Sequence, residues 1–298
     1  MTAPAFRASR RDKILFPGDG LTKGDLIDYY ARITPRMLPH LRDRPLTLRR
    51  FPDGIGEAGF FQKAAGEHYP DWIPRATVAK EGGTVTHPLC ADRQCLRYLA
   101  DQAAVELHVW LARIDRPHHP DRLIFDLDPP GDDFAPVVHA ARTLRSHLDD
   151  LGLAAFVMTT GSRGLHVTLP LDRGADFDTV RAFAHGLAAR LADESPEAFT
   201  VAQRKAKRGD RVYLDVMRNA YAQTGVAPYS VRAKPGAPVA TPLDWHELDD
   251  PRLHPRRYHL RNIFRRLGQR DCPWRDIDRH AQSLDAAIRR LGAAGEPR

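Results

Sequence analysis

Residues 123–134 read LIFDLDPPGDDF. Three apolar residues lead into Asp126, Leu127 and Asp128, and two prolines end the run. Side chains alternate faces along a strand, so Asp126 and Asp128 share one face while Phe125 and Leu127 take the other. Two carboxylates this close repel, and one is pushed toward protonation unless something positive lies between them. A divalent cation removes the conflict, and carboxylate oxygens suit Mg²⁺ or Mn²⁺ better than zinc. The plainer alternative is a strand ending in a turn that Asp128 caps. D-x-D alone does not separate the two.

A third carboxylate sharpens the choice. In RVYLDVM (211–217), Val212, Leu214 and Val216 lie on one face and Tyr213 and Asp215 on the other. Asp215 is an acid on an otherwise apolar strand, available either to pair with Arg211 or Arg218 or to join the first two. If the two strands are neighbours, three carboxylates meet, as in sites that hold two metals about 3.5–4 Å apart. Between these strands lies TTGSRGLHV (159–167). Gly161 and Gly164 permit backbone angles that aim amides at an anion, and Thr160, Ser162 and Arg163 add donors. His166 follows at the start of the next strand. A tight hairpin with a backbone-satisfied histidine is the competing reading. GSRG lacks both the G-x-S-x-G spacing of a nucleophile elbow and the GK[ST] ending of a P-loop.

The rest of the chain sets bounds. Its 298 residues are enough for one large domain, and 42% hydrophobic with 28% charged content is ordinary for a water-soluble globular chain. The first twenty residues carry no apolar signal region, and no run approaches the roughly 18–20 apolar residues of a membrane span. Cys90, Cys95 and Cys272 include no CxxC pair, which points to reduced thiols and a cytoplasmic location. The net charge of +7 is compatible with a polyanion, and only seven of the 45 basic residues are lysines. Arginine suits bidentate phosphate contacts, although genome base composition produces the same excess. Helical spacing of Leu26, Ile27, Tyr30 and Ile33 predicts a helix over 24–41 with Thr22 as its cap. Residues 45–51 read as a strand, 95–111 as a helix giving way to a strand, and 134–151, 176–192 and 281–292 as helices. The Pro-rich stretch 228–245 reads as an ordered loop, and RKAKR (204–208) most simply as a solvated one, or else as a run that follows a phosphate backbone. Mixed sheets flanked by helices, an α+β fold in a single domain over 1–298, fit this order.

FDLDPP, TGSRGLHV and YLDVMRN, in this order and spacing, resemble the three motifs of archaeo-eukaryotic primases. More closely, the chain is similar to the polymerase domain of bacterial DNA ligase D. DKILFP, LTKGDLIDYY, GFFQK, ELHVW, APYSVRAKPGAPVATPLDWHEL and HAQSL extend the likeness over nearly the whole chain. The resemblance implies a nucleotidyltransferase of non-homologous end joining that adds nucleotides, ribonucleotides preferentially, to DNA 3′ ends. It implies two ions, Mn²⁺ or else Mg²⁺, held by Asp126, Asp128 and Asp215. It places Thr160, Ser162, Arg163 and His166 on the triphosphate, with His108, Arg232 and Lys234 completing the nucleotide site. Lys13 and Lys23 match lysines that bind a 5′-phosphate at a gap or end, and Phe60 and Phe61 match a pair that stacks on a base. The implied partners are gapped or broken DNA, preferably 5′-phosphorylated, NTPs or dNTPs, and, as candidates, Ku and a DNA ligase. Thr160 and Arg163 stand where the family commonly has Ser and often Lys, and both keep their donors. A primase that starts strands de novo and a non-catalytic DNA-end scaffold are the alternatives. The retained carboxylates and His166 argue against the scaffold, and the scattered cysteines supply no zinc element for the primase.

Overall fold

The alternation read around Asp126 becomes the middle of a six-stranded sheet. In the computed structural model, which describes residues 6–293, the chain forms two compact units from interleaved stretches of sequence. Unit 1 is Met1–Asp115, Thr224–Thr241 and Tyr258–Asp271, and unit 2 is Arg116–Gln223, Pro242–Arg257 and Cys272–Arg298. The chain begins in unit 1 with β1 (Ile14–Phe16), β2 (Leu21–Thr22), α1 (Lys23–Leu41), β3 (Leu46–Arg50) and β4 (Phe60–Gln62). It continues through β5 (Arg75–Lys80), β6 (Gly83–Pro88), α2 (Arg93–Asp101) and β7 (Ala104–Trp110). Unit 2 follows with β8 (Arg122–Asp128), α3 (Ala135–Asp150), β9 (Phe156–Thr159), β10 (Leu165–Pro170), α4 (Phe177–Glu194), β11 (Phe199–Thr200) and β12 (Val212–Asp215). Then come β13 (Thr224–Val226), β14 (Thr241–Leu243), α5 (Ile263–Leu267) and α6 (Asp285–Ala293).

Unit 1 is built on a four-stranded antiparallel sheet in the order β13-β7-β3-β4. Its helix α1 starts at the expected cap. The Thr22 hydroxyl accepts from the Asp25 amide and the Asp25 carboxylate accepts from the Thr22 amide, which satisfies two orphan donors of the first turn. Leu26, Ile27, Tyr30 and Ile33 are fully buried. The hydroxyls of Tyr29 and Tyr30 reach the carbonyls of Tyr229 and Val105, at 2.7 and 2.8 Å, so two neighbouring rings are buried without orphaning a donor. The Pro-rich stretch is packed: Tyr229, Ser230 and Val231 are buried, and Ser230 Oγ accepts from the Leu107 amide of β7 at 2.8 Å. Among the elements not read from the sequence are strand β4 and the β5–β6 hairpin.

In unit 2 the sheet runs β11-β12-β8-β10-β9-β14. Strand β8 pairs antiparallel with β10 on one side and β12 on the other, and β11 joins β12 in parallel. Phe125, Leu127, Leu165, Val167 and Leu214 are all buried on the face away from the acids. Helices α3 and α4 pack on this sheet, and every residue they bury is apolar. Strand β12 ends at Asp215, yet β8 runs on, and Asn219 makes up the missing pairing. Its side chain accepts from the Ile124 amide at 2.9 Å and donates to the Ile124 carbonyl at 2.7 Å. The amide group takes the place of a further strand residue and frees the chain after Asp215 to turn. The three cysteines are free and buried, and among the described residues no helix is long and apolar enough to cross a membrane.

Candidate active site

Strand register assembles the acids. Asp126 stands opposite Asp215 on β12 and opposite His166 on β10. Directly opposed residues share a face, so Asp215, Asp126 and His166 form a row across three strands. Asp128 lies two residues along β8, opposite Tyr213, on that face. Asp126 is buried, and burial alone would raise its pKa. His166, with Nε2 at 3.5 Å, and Arg218, with Nε and Nη2 at 3.3 Å, outweigh it and bring the carboxyl down to about 2. Asp128 is shifted upward, by burial first and then by the Asp126 and Asp215 charges, against the opposing pull of Arg208 and Arg163. Asp215 Oδ1 accepts from the Met217 amide at 2.8 Å. Arg218 therefore belongs to Asp126 and not to Asp215.

This set fits a hard divalent cation in kind. Three carboxylates share one face, and the ionised form of one is destabilised by the other two, which an added positive charge would relieve. His166 Nδ1 is buried with no hydrogen-bond partner, a polar atom unsatisfied by the protein on the ring whose Nε2 faces Asp126. In position, Asp126 is already engaged by Arg218 and His166. Among the described residues no three His, Cys, Asp or Glu side chains are gathered to hold a metal ion as they stand.

The Gly turn differs from the expected anion nest. Gly161 has the left-handed φ of 66° that the turn requires. Gly164 serves close approach: a Cβ there would collide with the Leu127 carbonyl of β8. The amides of Ser162 and Gly164 point inward to Thr160 Oγ1, at 3.3 Å each, and that hydroxyl donates to the Gly164 carbonyl at 3.1 Å. A hydroxyl inside the loop competes for amides that would otherwise face outward. Thr160 thus shapes the turn, and Ser162 and exposed Arg163 are left to meet a ligand. The basic run 204–208 is likewise more than a solvated loop. Arg208 lies over the Tyr213 ring, 3.8 Å from its centroid, donates to the carbonyls of Ala202 and Gln203, and comes within 3.9 Å of Asp128 Oδ2.

The remaining candidates lie in unit 1. His108 shares a face of β7 with Glu106, whose carboxylate is fully buried and accepts from His108 Nε2 at 3.1 Å, the Ala233 amide at 2.9 Å and Arg49 at 3.3 Å. Arg232 Nε lies 3.3 Å away. Burial would raise the Glu106 pKa, but His108 and Arg232 bring it to about 2. Lys234 follows in the same turn, half-buried. Phe60 and Phe61 are both exposed, at 47% and 60%, although adjacency in an extended segment would bury one of two. Phe61 meets the His108 ring edge-on at 5.8 Å, and Arg49 and Arg50 lie over Phe61 and Phe60 at 5.5 Å each. Lys13 is part-exposed and pairs with Asp53 at 2.9 Å. Lys23 is not the solvated lysine expected by default. It is buried, with Nζ 2.8 Å from Asp101 and 3.0 Å from Ser9 Oγ.

Residues 22–274 match the family described as LigD, primase-polymerase domain. The chain belongs to that family. It is 39% identical over 251 residues to the multifunctional non-homologous end joining DNA repair protein LigD of Mycobacterium tuberculosis, an alignment covering 81% of this chain and 33% of that protein. It is 32% identical to the bifunctional non-homologous end joining protein LigD of Bacillus subtilis, over 97% of this chain and 47% of the relative. The chain thus spans about a third of the mycobacterial relative's length. Its fold superposes on the polymerase domain of Mycobacterium tuberculosis ligase D, solved in complex with DNA, with a TM-score of 0.88 and 35% identity, covering 94% of this chain and all of that one. The primase-like α+β fold expected from the sequence is therefore the observed one.

Within this LigD-type domain, four site residues escaped the sequence reading. Asn219 and Arg218 sit inside YLDVMRN, but their roles depend on where β12 stops. Arg208 was hidden in a run of like charges. Glu106 carried a usable signal, since an acid at i−2 of His108 on an apolar strand is the same pattern that singled out Asp215.

Proposed function

We propose that this domain transfers nucleotides, ribonucleotides preferentially, to the 3′ ends of DNA at gaps and double-strand breaks in non-homologous end joining. The observation that carries the reading is the row Asp215–Asp126–His166, with Asp128 beside it, on one face of a rigid sheet. Asp126, Asp128 and Asp215 would hold two Mn²⁺ or Mg²⁺ ions, which when bound supply Lewis-acid activation of the attacking oxygen and charge relief at the leaving phosphate. Arg218 and His166 keep Asp126 ionised, the state in which a carboxylate ligates. His166, Ser162 and Arg163 contact the triphosphate, with Thr160 setting the turn. Glu106 orients His108 and Arg232 for the nucleotide, with Lys234 in the same turn. Phe60 and Phe61 offer exposed rings to a base, whose π-face any aromatic can stack on. Recognition of a 5′-phosphate falls to Lys13, because Lys23 is buried against Asp101.

The names of the relatives and the DNA in the mycobacterial complex support this assignment, as does the net charge of +7. Ku and a DNA ligase are the proposed cellular partners. The test is extension of a gapped duplex with and without a 5′-phosphate, comparing NTPs with dNTPs in Mn²⁺ and Mg²⁺. Ribonucleotide addition that disappears in Asp126→Ala and Asp215→Ala is expected, with DNA binding retained through phosphate contacts elsewhere. Extension by either variant at the wild-type rate would refute the carboxylate assignment.

A further inference from the structure

Beside the Gly turn lies a second cavity of about 300 Å³, lined by Gly131, Asp132, Ser162, Arg163, His254 and Arg256, with Pro255 between the last two. It is built wholly within unit 2. One wall is the Ser162–Arg163 segment of the turn, and the other is the chain from His254 to Arg256. The walls are joined by a hydrogen bond from Arg256 Nε to the Ser162 carbonyl at 3.0 Å. That bond uses one edge of the guanidinium and leaves both terminal nitrogens for a ligand. Among the described residues, Arg163 finds no hydrogen-bond or ion-pair partner for its side chain, and neither does the His254 ring. The neighbouring arginines are different: Arg252 and Arg257 are both held by the Asp250 carboxylate, at 3.0 and 3.4 Å. Within one short cationic segment, the two arginines outside the cavity lining thus share a carboxylate, and the side chains lining it have none of their own. Two guanidiniums without a carboxylate partner, Arg163 and Arg256, line the cavity with one carboxylate, Asp132, so it is cationic on balance.

We infer that this cavity is a subsite for the terminal phosphates of the incoming nucleotide, and for the pyrophosphate released from it, with Arg256 and His254 as binding residues alongside Arg163. The inference rests on the nucleotide-transfer reading above and extends it to a segment of chain not among the expected site residues. Two features favour a polyphosphate over a single phosphate diester. The guanidiniums of Arg163 and Arg256 come from opposite walls, and each presents parallel donors suited to bidentate phosphate contacts. The cavity also adjoins Ser162 and Arg163, in the turn whose Gly164 lies against the Leu127 carbonyl, one residue before Asp128. A chain of phosphates can therefore run from the carboxylate face into the pocket.

The probes are inorganic tripolyphosphate and pyrophosphate, titrated calorimetrically with chelator present so that only the protein's own cations act. Wild type is expected to bind both, and Arg256→Ala to weaken each by about tenfold or more, as expected for one charge-assisted phosphate contact. His254→Ala should have a smaller effect than Arg256→Ala. Arg256→Lys, which keeps the charge but loses the fork, should recover part of the loss. In extension assays Arg256→Ala should raise the nucleotide KM with kcat little changed, and leave the affinity for 5′-phosphorylated gapped duplex at the wild-type value. Unchanged tripolyphosphate affinity in Arg256→Ala, or a loss of DNA affinity in its place, overturns the subsite and gives the cavity to DNA. A wild type that binds neither probe also overturns it. A wild type that binds both probes, with the expected loss in Arg256→Ala, yet adds no nucleotide to DNA supports the pocket while sinking the polymerase reading.

Discussion

Glu106 is the single buried anion shared by His108, Arg232 and Arg49, and its neutralisation should cost the protein measurable stability. Its carboxyl is shifted from the ordinary 4.5 to about 2 in the folded state, burial being outweighed by His108 and Arg232. A tenfold change in proton affinity on folding corresponds to about 1.4 kcal/mol, so ionised Glu106 stabilises the fold by roughly 3 kcal/mol at neutral pH. Because the folded value lies below the unfolded one, that stabilisation is fully present above about 4.5 and is lost as pH falls toward 2. Glu106→Gln keeps the shape and one carbonyl acceptor but removes the charge. Urea unfolding followed by tryptophan fluorescence has a probe on the same strand, since Trp110 is buried at the end of β7. At neutral pH the variant should be less stable by roughly 3 kcal/mol. Below the ordinary carboxyl pKa the gap between variant and wild type should narrow steadily. A gap below about 1 kcal/mol at neutral pH, or one that stays constant on acidification, would refute the reasoning.

Three further outcomes follow from the packing. Asn219→Ala leaves both polar groups of Ile124 buried and unpaired, so a loss of about 3 kcal/mol is expected, with extension activity falling through displacement of Arg218; a thermal melt within a degree of wild type would contradict it. Gly164→Ala should lower the melting temperature and abolish extension together, because the new Cβ drives the turn off the Leu127 carbonyl of β8, and a fully active variant would rule out the close-approach role. Lys23→Met removes one partner of a buried ion pair and should cost about 3 kcal/mol, whereas Lys13→Ala should leave stability unchanged and reduce the preference for a 5′-phosphorylated gap. If Lys13→Ala keeps the full preference at low salt, 5′-phosphate recognition lies elsewhere.

What was legible in the sequence was what depends on strand period. Asp126 and Asp128 share a face because the backbone repeats every two residues, and Asp215 was found as an acid breaking an apolar alternation. The cap of α1 was equally local, since Thr22 and Asp25 satisfy each other within one turn. The pairing of β12 with β8 was a conditional, because neither strand states its neighbour. Lys23 shows the limit from the other side. Nothing near residue 23 signals burial, because the carboxylate that neutralises it lies 78 residues away at the end of α2. Strand β4 was missed for a related reason: it is only three residues long and exists because β3 offers it an edge.

The same distinction separates the two kinds of residue in the site. Asp126, Asp128, Asp215 and His166 follow strand period, so the face each takes on its own strand can be read before any fold is known, although the pairing that brings them together cannot. Arg218, Arg208 and Glu106 act by adjusting the charge around those groups or their counterparts, and such residues depend on where a strand stops or a loop folds back. Arg218 illustrates how the two are linked. It reaches Asp126 because Asn219 takes over the Ile124 pairing one residue later, and that exchange is possible because the chain leaves the sheet at Asp215. Extending β12 by two ordinary strand residues would restore the backbone pairing and remove the need for Asn219. It would also carry Arg218 along the strand and leave Asp126 with His166 alone to offset its neighbours. The premature end of β12 is therefore part of the electrostatics of the carboxylate row.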